Sequence, residues 1–143
     1  MFLFHKGIVH PWLCDVMGHM NVRHYLGMFD DASFQLLAEV TGWYAGAKQW
    51  KGLGWADVSH QIDYLGEVHA GAVLEIKGGV IAIGNSSFTS HYVMENKMTR
   101  ERAATMTAKV VFFDLKARRS LPLTETIRQQ IKGFHIDLEE SVS

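Results

Sequence analysis

Residues 21–42 read NVRHYLGMFDDASFQLLAEVTG, and this stretch decides the fold. Tyr25, Phe29, Ala32, Ser33, Leu36, Leu37 and Val40 recur at helical spacing, which predicts one long helix with a single buried stripe. Asp31 lies on the opposite face. Asn21 is placed to cap the N-terminus, although no Glu or Gln follows three residues later, and Gly42 suits the position just past the C-terminus. The middle of the stripe is small, because Ala32 and Ser33 separate the bulky Phe29 and Leu36, and this leaves room for another element to approach closely.

Strand patterns flank that helix on both sides. Phe2 to His10 alternates, with Phe2, Phe4 and Ile8 on one face, Gly7 as an expected bulge and Pro11 closing the strand. Trp12 to Asn21 has no sustained period and reads as a loop. Beyond the helix, Trp55 to Tyr64 gives the clearest alternation, with Ala56, Val58, His60, Ile62 and Tyr64 on the apolar side. Val73 to Ile83, Ser87 to Glu95 and Arg102 to Asp114 supply three further strands, with Gly78-Gly79 as an expected bulge and Gly84-Asn85 as a turn. Pro122 opens a short helix over Leu123 to Ile131. The order β-α-β-β-β-β with a short C-terminal helix is an α+β arrangement, in which an antiparallel sheet buries one face against the long helix. Residues 1–135 are expected to form a single domain, and residues 136–143 an acidic, flexible tail.

The 143 residues, 48% hydrophobic and 20% charged, supply enough apolar side chain for one core and argue against disorder. A net charge of −1 steers the chain toward neither nucleic acid nor an anionic membrane. Cys14 is the only cysteine, so no disulfide framework is possible, and no Cys/His spacing matches a structural zinc site. The N-terminus lacks the basic region and long apolar run of a signal peptide, which makes a cytoplasmic location the expectation. The histidines include no His-x-x-x-His pair with a catalytic Glu, so neither a metal nor another cofactor is expected.

The densest polar cluster is Asp15-Val16-Met17-Gly18-His19-Met20-Asn21, in the loop that leads into the long helix. A carboxylate and an imidazole four residues apart can share acid/base work, and the unpaired N–H groups of the first helical turn, near Val22, Arg23 and His24, can hold a developing oxyanion. The same residues also suit a plainer arrangement, with Asp15 and Asn21 as turn and cap and His19 solvated. Ser59-His60 is not a Ser/His pair, since strand neighbours face opposite sides of the sheet. Between Lys97 and Arg119 seven cationic side chains face only Glu101 and Asp114, which makes Arg118-Arg119 or Arg100-Arg102 candidates for binding phosphate, or else a solvated strand end.

The pattern Asp15-x-x-Gly18-His19-x-Asn21-x-x-x-Tyr25, followed by Phe29 and Ala32, resembles the signature of hotdog-fold acyl-CoA thioesterases of the 4-hydroxybenzoyl-CoA thioesterase-like group. Ile62-Asp63-Tyr64-Leu65-Gly66 and Gly71 to Ile76 look like that family's second and third strands, and Ala103 to Asp114 like its last. The resemblance covers roughly residues 1 to 120. It implies a long helix wrapped by a curved antiparallel sheet, a homodimer or homotetramer, and acyl-CoA sites at the dimer interface. By position it implies Asp15 as catalytic carboxylate, His19 and Asn21 beside it, backbone donors at Val22 and Arg23, and Gly18, Tyr25, Arg118 and Arg119 on the substrate-binding side. Gly66 and Ala72 depart from the family's usual Pro and Asp. The expected function is hydrolysis of an acyl-CoA thioester by Asp15, as nucleophile or general base, without a cofactor. A hotdog hydratase or dehydratase and a non-catalytic acyl-CoA-binding protein are the alternatives. Aryl, short aliphatic and betainyl acyl groups all remain open.

Overall fold

A computed structural model describes residues 1–138. The long helix, α1, spans Val22–Thr41 and ends at Gly42, whose φ of 76° is the left-handed conformation that glycine adopts without steric cost. Five main strands wrap it: β1 (Phe2–Ile8), β2 (Leu53–Tyr64), β3 (Val73–Ile83), β4 (Ser87–Asn96) and β5 (Arg102–Asp114). They pair antiparallel in the order β1-β3-β4-β5-β2. A two-residue strand, β6 (Arg119–Ser120), folds back on β5, and a short helix, α2 (Glu125–Lys132), follows it. This is the hotdog arrangement, a long helix inside a curved sheet.

Every residue of the expected stripe is buried, and Phe29, Ala32 and Leu36 are inaccessible to solvent. They pack against Leu74, Ile76, Phe88, Met94 and Met106 of the sheet. Each large side chain removed from water there contributes about 1.5–3 kcal/mol. The small middle of the stripe admits one side chain. Tyr92 of β4 reaches the helix at Ser33, and its phenol is hydrogen-bonded to Ser33 and Ser90 while burial pushes its pKa up to about 12. The buried hydroxyl therefore stays protonated and partnered.

The strand with the clearest alternation, β2, proves to be an edge. It pairs only with β5 among the described strands, and Val58 and Tyr64 from its apolar side are 56% and 51% exposed. The register shift between Asp57 and Ser59 breaks the expected face: Trp55 before it and Ile62 after it both pack against the core, while Val58 at the shift is left exposed. The other edge, β1, is shorter than expected, ending at Ile8. Its register shift falls between Leu3 and His5, so the bulge is at Phe4 and not at Gly7. That extra residue breaks the expected common face: Phe4 turns into the core, while Phe2 and Ile8 remain exposed.

Gly78-Gly79 is also not the bulge, since the shift in β3 lies between Val80 and Ala82. The two glycines serve close approach instead. A Cβ on Gly78 would collide with the His91 carbonyl oxygen, and one on Gly79 would lie 2.6 Å from Ile136 Cγ2. The expected turn at Gly84-Asn85 is present, with Gly84 N–H donating to the Ser87 carbonyl at 2.7 Å. Helix α2 starts at Glu125, two residues later than expected, because Thr124 Oγ1 caps it by accepting from Ile127 N–H at 3.2 Å. Pro122 thus precedes the cap and is not in the first turn. The chain remains docked beyond residue 135, as Ile136 N–H donates to the Val80 carbonyl at 3.0 Å. Residues 139–143 of the expected tail lie outside the described residues.

Gly78→Ala places its methyl against backbone that the β3–β4 ladder holds in register. Urea denaturation should show a loss of about 1–3 kcal/mol, the range for overpacking.

Candidate active site

The loop before α1 is shaped by its own backbone. Asp15 N–H donates to the His19 carbonyl at 2.9 Å and Gly18 N–H to the Asp15 carbonyl at 3.0 Å, so residues 15–19 form a tight reversal. Gly18 has a φ of 86° there, which a side chain would strain. The Asp15 carboxylate accepts from Met17 N–H at 2.9 Å, which orients the half-buried side chain. The reversal is tied down behind by Met20 N–H to the Val68 carbonyl and Asn21 N–H to the Leu13 carbonyl, both 2.9 Å. Met20 and Val68 are buried, so the ladder between them anchors the loop to the β2–β3 connection.

Asp15, His19, Val22 and Tyr25 line one side of an open cavity of about 370 Å³, and Tyr64, Leu65, Gly66 and Glu67 line the other. His19 Nε2 lies 3.1 Å from Glu67 Oε2, and its ring meets His69 edge-on with centroids 4.9 Å apart. Tyr25 is buried, donates to the Gly66 carbonyl at 3.4 Å and meets the Tyr64 ring edge-on. Burial raises its pKa first, and neighbouring Tyr64 and Glu67 raise it further, so the phenol is a neutral donor in the cavity wall. The cavity therefore combines a carboxylate, an imidazole oriented by a second carboxylate, and the N-terminal end of a helix.

Asn21 is the helix cap, its Oδ1 accepting from Arg23 N–H at 3.1 Å and from Arg23 Nε at 3.3 Å. The Arg23 N–H, an expected oxyanion donor, is engaged by the cap. His24 N–H is likewise taken, by the Asn21 carbonyl. The Val22 N–H has no partner among the described residues, and Val22 lines the cavity. Gly18 and Asn21 shape the loop without lining the cavity.

Arg118 and Arg119 are not brought to this cavity within the chain. They sit on the turn after β5, next to Asp114, which pairs with Leu53 at the start of β2. The cavity lies at the other end of β2, and the intervening ten residues of β5 span about 33 Å. Arg118 has a φ of 59°, and its guanidinium covers the Phe113 ring at 5.2 Å. Trp43, Trp50 and Trp55 also lie toward the C-terminal end of α1. Trp43 Nε1 donates to the Leu53 carbonyl, and the other two pack on Phe112.

Glu67 and His69 were outside the residues the sequence singles out, and Leu65 was named only as part of a strand. The signal that could have found two of them is Glu67-x-His69, a pair that faces one side if the segment is extended. Nothing in the local sequence shows that it faces His19.

A profile of the thioesterase-like superfamily matches residues 9–131. A Staphylococcus aureus protein solved in complex with CoA is 18% identical and superposes with a TM-score of 0.84, covering 94% of this chain and 86% of its own. A Pseudomonas aeruginosa protein is 22% identical with a TM-score of 0.80, covering 94% and 96%. A 1,4-dihydroxy-2-naphthoyl-CoA thioesterase from Synechocystis is 18% identical with a TM-score of 0.79, covering 92% and 95%. No curated protein matches the chain significantly. No helix among the described residues is long and apolar enough to cross a membrane.

Removing the cap tests the division of labour in the loop. Asn21→Ala should lower stability by about 1 kcal/mol in thermal or chemical melts, the usual cost of a lost N-cap.

Proposed function

This chain belongs to the thioesterase-like superfamily, and we propose that it hydrolyses an acyl-CoA thioester to the free acid and CoA, with Asp15 acting on the thioester. The observation that carries this reading is the position of Asp15. Its carboxylate is held by Met17 N–H in a cavity that the first residue of α1 also lines. A thioester carbonyl placed there would accept from Val22 N–H, and the positive end of the α1 dipole would favour the charge that develops on its oxygen. Asp15 then either attacks the carbonyl carbon itself or takes a proton from the attacking water. In the first route the Asp15 oxygen bonds to the acyl carbon as the C–S bond breaks, and water then cleaves the resulting anhydride to free acid and Asp15 carboxylate. In the second the water oxygen bonds to the acyl carbon as the C–S bond breaks. In both the CoA sulfur leaves and takes up a proton. His19, held by Glu67, is the adjacent group that can carry that proton. The CoA part of the reading draws on the S. aureus relative, solved with CoA, and on the Synechocystis relative, named for a CoA thioester.

Asp15→Ala should reduce kcat/KM for acyl-CoA thioesters by about 10²- to 10⁴-fold, read as thiol release across an acyl panel, with folding unchanged. A loss of less than about tenfold removes Asp15 from the reaction. In single turnover in ¹⁸O-water, label in the Asp15 carboxylate identifies the anhydride route, in which water opens the anhydride at the Asp15 carbonyl.

The working unit in this reading is a homodimer, or a tetramer built from two dimers. What supports it is the open β2 edge together with exposed apolar side chains at Val22, Leu26 and Phe34 on α1 and at Val58, Tyr64 and Leu65 on and just after β2. Two β2 edges paired about a two-fold axis run antiparallel, so the Tyr64 end of one meets the Leu53 end of the other. The partner's β5–β6 turn then comes to the cavity, and its two arginines are placed for the phosphates of CoA. The test is complementation. Asp15→Ala chains mixed with Arg118→Glu/Arg119→Glu chains should recover sites of parental KM, because a mixed dimer holds one site with both elements intact. Recovery should coincide with a dimer mass by light scattering. A KM that stays high in the mixture assigns any role of the arginines to their own subunit.

A further inference from the structure

The face shared by His19, Glu67 and His69 is built by backbone pairing, not by chance proximity of long side chains. His19 and His69 form an isolated antiparallel bridge, so their side chains project from the same side of a two-stranded patch. Glu67 is two residues before His69 and shares that side. The patch is held by Met20 N–H donating to the Val68 carbonyl at 2.9 Å, between two buried residues. One ligand atom from each of the three side chains lies within 4.8 Å of the others. His19 Nε2 and Glu67 Oε2 are already 3.1 Å apart.

We propose that His19, Glu67 and His69 bind a zinc-class divalent ion. Two imidazoles and a carboxylate suit a borderline transition metal, whereas magnesium and calcium prefer all-oxygen sites. Tetrahedral zinc with bonds of about 2.0–2.1 Å needs its donors about 3.4 Å apart. The largest closure required is therefore about 1.4 Å, within the reach of side-chain rotation on a fixed ladder. Three protein donors leave one coordination position for water or an anion. Binding converts the His19–Glu67 contact into two bonds to the ion and draws the His69 ring toward them. The site stands apart from the thioesterase reading, because it depends on the ladder and the three ligands and not on any reaction. Its consequence for turnover rests on that reading: an ion on His19 Nε2 withdraws the imidazole from proton transfer, so zinc acts as a reversible inhibitor.

The test is calorimetric titration of the full chain with zinc chloride at neutral pH, beside magnesium chloride. Saturable binding of one zinc per chain and none of magnesium is expected. His69→Ala should weaken zinc by at least about tenfold, while His135→Ala, at a different exposed His/carboxylate pair, should leave it unchanged. If His69→Ala does not melt cooperatively, His69→Gln replaces it. Absence of saturable zinc binding, or equal binding by the folded His69 variant, overturns the site. Transfer of the loss to His135→Ala overturns it too, because the ion then belongs to His135 and Asp137. Zinc binding at His69 without inhibition of thiol release leaves the metal site standing and removes the proton-transfer role of His19.

Discussion

The apolar stripe of α1 has to be covered along its whole length, and the rest of the molecule is arranged around that requirement. A helix of twenty residues is about 30 Å long, and a flat sheet could meet only part of its width. The strands therefore curve, and curvature has to be introduced residue by residue. The bulge at Phe4, the shift after Asp57 in β2 and the shift after Val80 in β3 do this on three different strands. Gly78 and Gly79 let β4 and the C-terminal segment approach from opposite sides at the tightest point. At mid-helix the hydrogen-bonded trio of Ser33, Tyr92 and Ser90 sets the depth of contact, because a larger residue at Ser33 would displace the phenol.

That packing decides where chemistry can occur. Once the helix is seated, its first turn emerges at one end of the sheet, and the loop before it must cross to the β2–β3 connection. Met20 and Val68 bury that crossing and leave Asp15 and His19 on its solvent side. The cavity is consequently made of two chain segments about fifty residues apart, each rigid for reasons unrelated to the site. Polar groups on such supports keep their geometry without paying for order when a ligand arrives.

The parts of this arrangement that were legible in the sequence are those with a local period or a local cap. The long helix, its Asn21 and Gly42 ends, and β5 from Arg102 to Asp114 all follow from spacing within one segment. The edge position of β2 did not, since alternation is the same whether the apolar side meets a core or solvent. Gly78-Gly79 was legible as an irregularity but not as a close approach, which depends on His91 and Ile136. The two-residue β6 is too short to carry a period. In the site, Asp15 and His19 were found because they share one loop, while Glu67 and His69 were not, because only the ladder at Val68 brings them there. The arginine pair shows the opposite limit: composition marked it, but β5 carries it to the far end of the sheet.

The start of α1 also shows how stability and chemistry compete for the same groups. An N-terminus offers several unpaired N–H groups, and Asn21 takes that of Arg23 while its carbonyl takes that of His24. The cap is worth about 1 kcal/mol to the helix. A donor aimed at a developing oxyanion is worth about 2.7–4 kcal/mol to a reaction, considerably more than the cap, so a chain that needed two such donors would gain by leaving both free. In the thioesterase reading one backbone donor, Val22, has to carry the load with the helix dipole, which adds about 0.3–1 kcal/mol at an exposed helix end. Tyr25 lines the same cavity and carries a hydroxyl donor that could make up the difference. Its phenol is neutral, buried and bound to the Gly66 carbonyl by a long 3.4 Å hydrogen bond, weak enough to be exchanged for a better acceptor. The residue that anchors the first turn of the stripe to the core would then also meet the substrate, and the helix that organises the fold would supply both polar contacts to the reacting carbonyl.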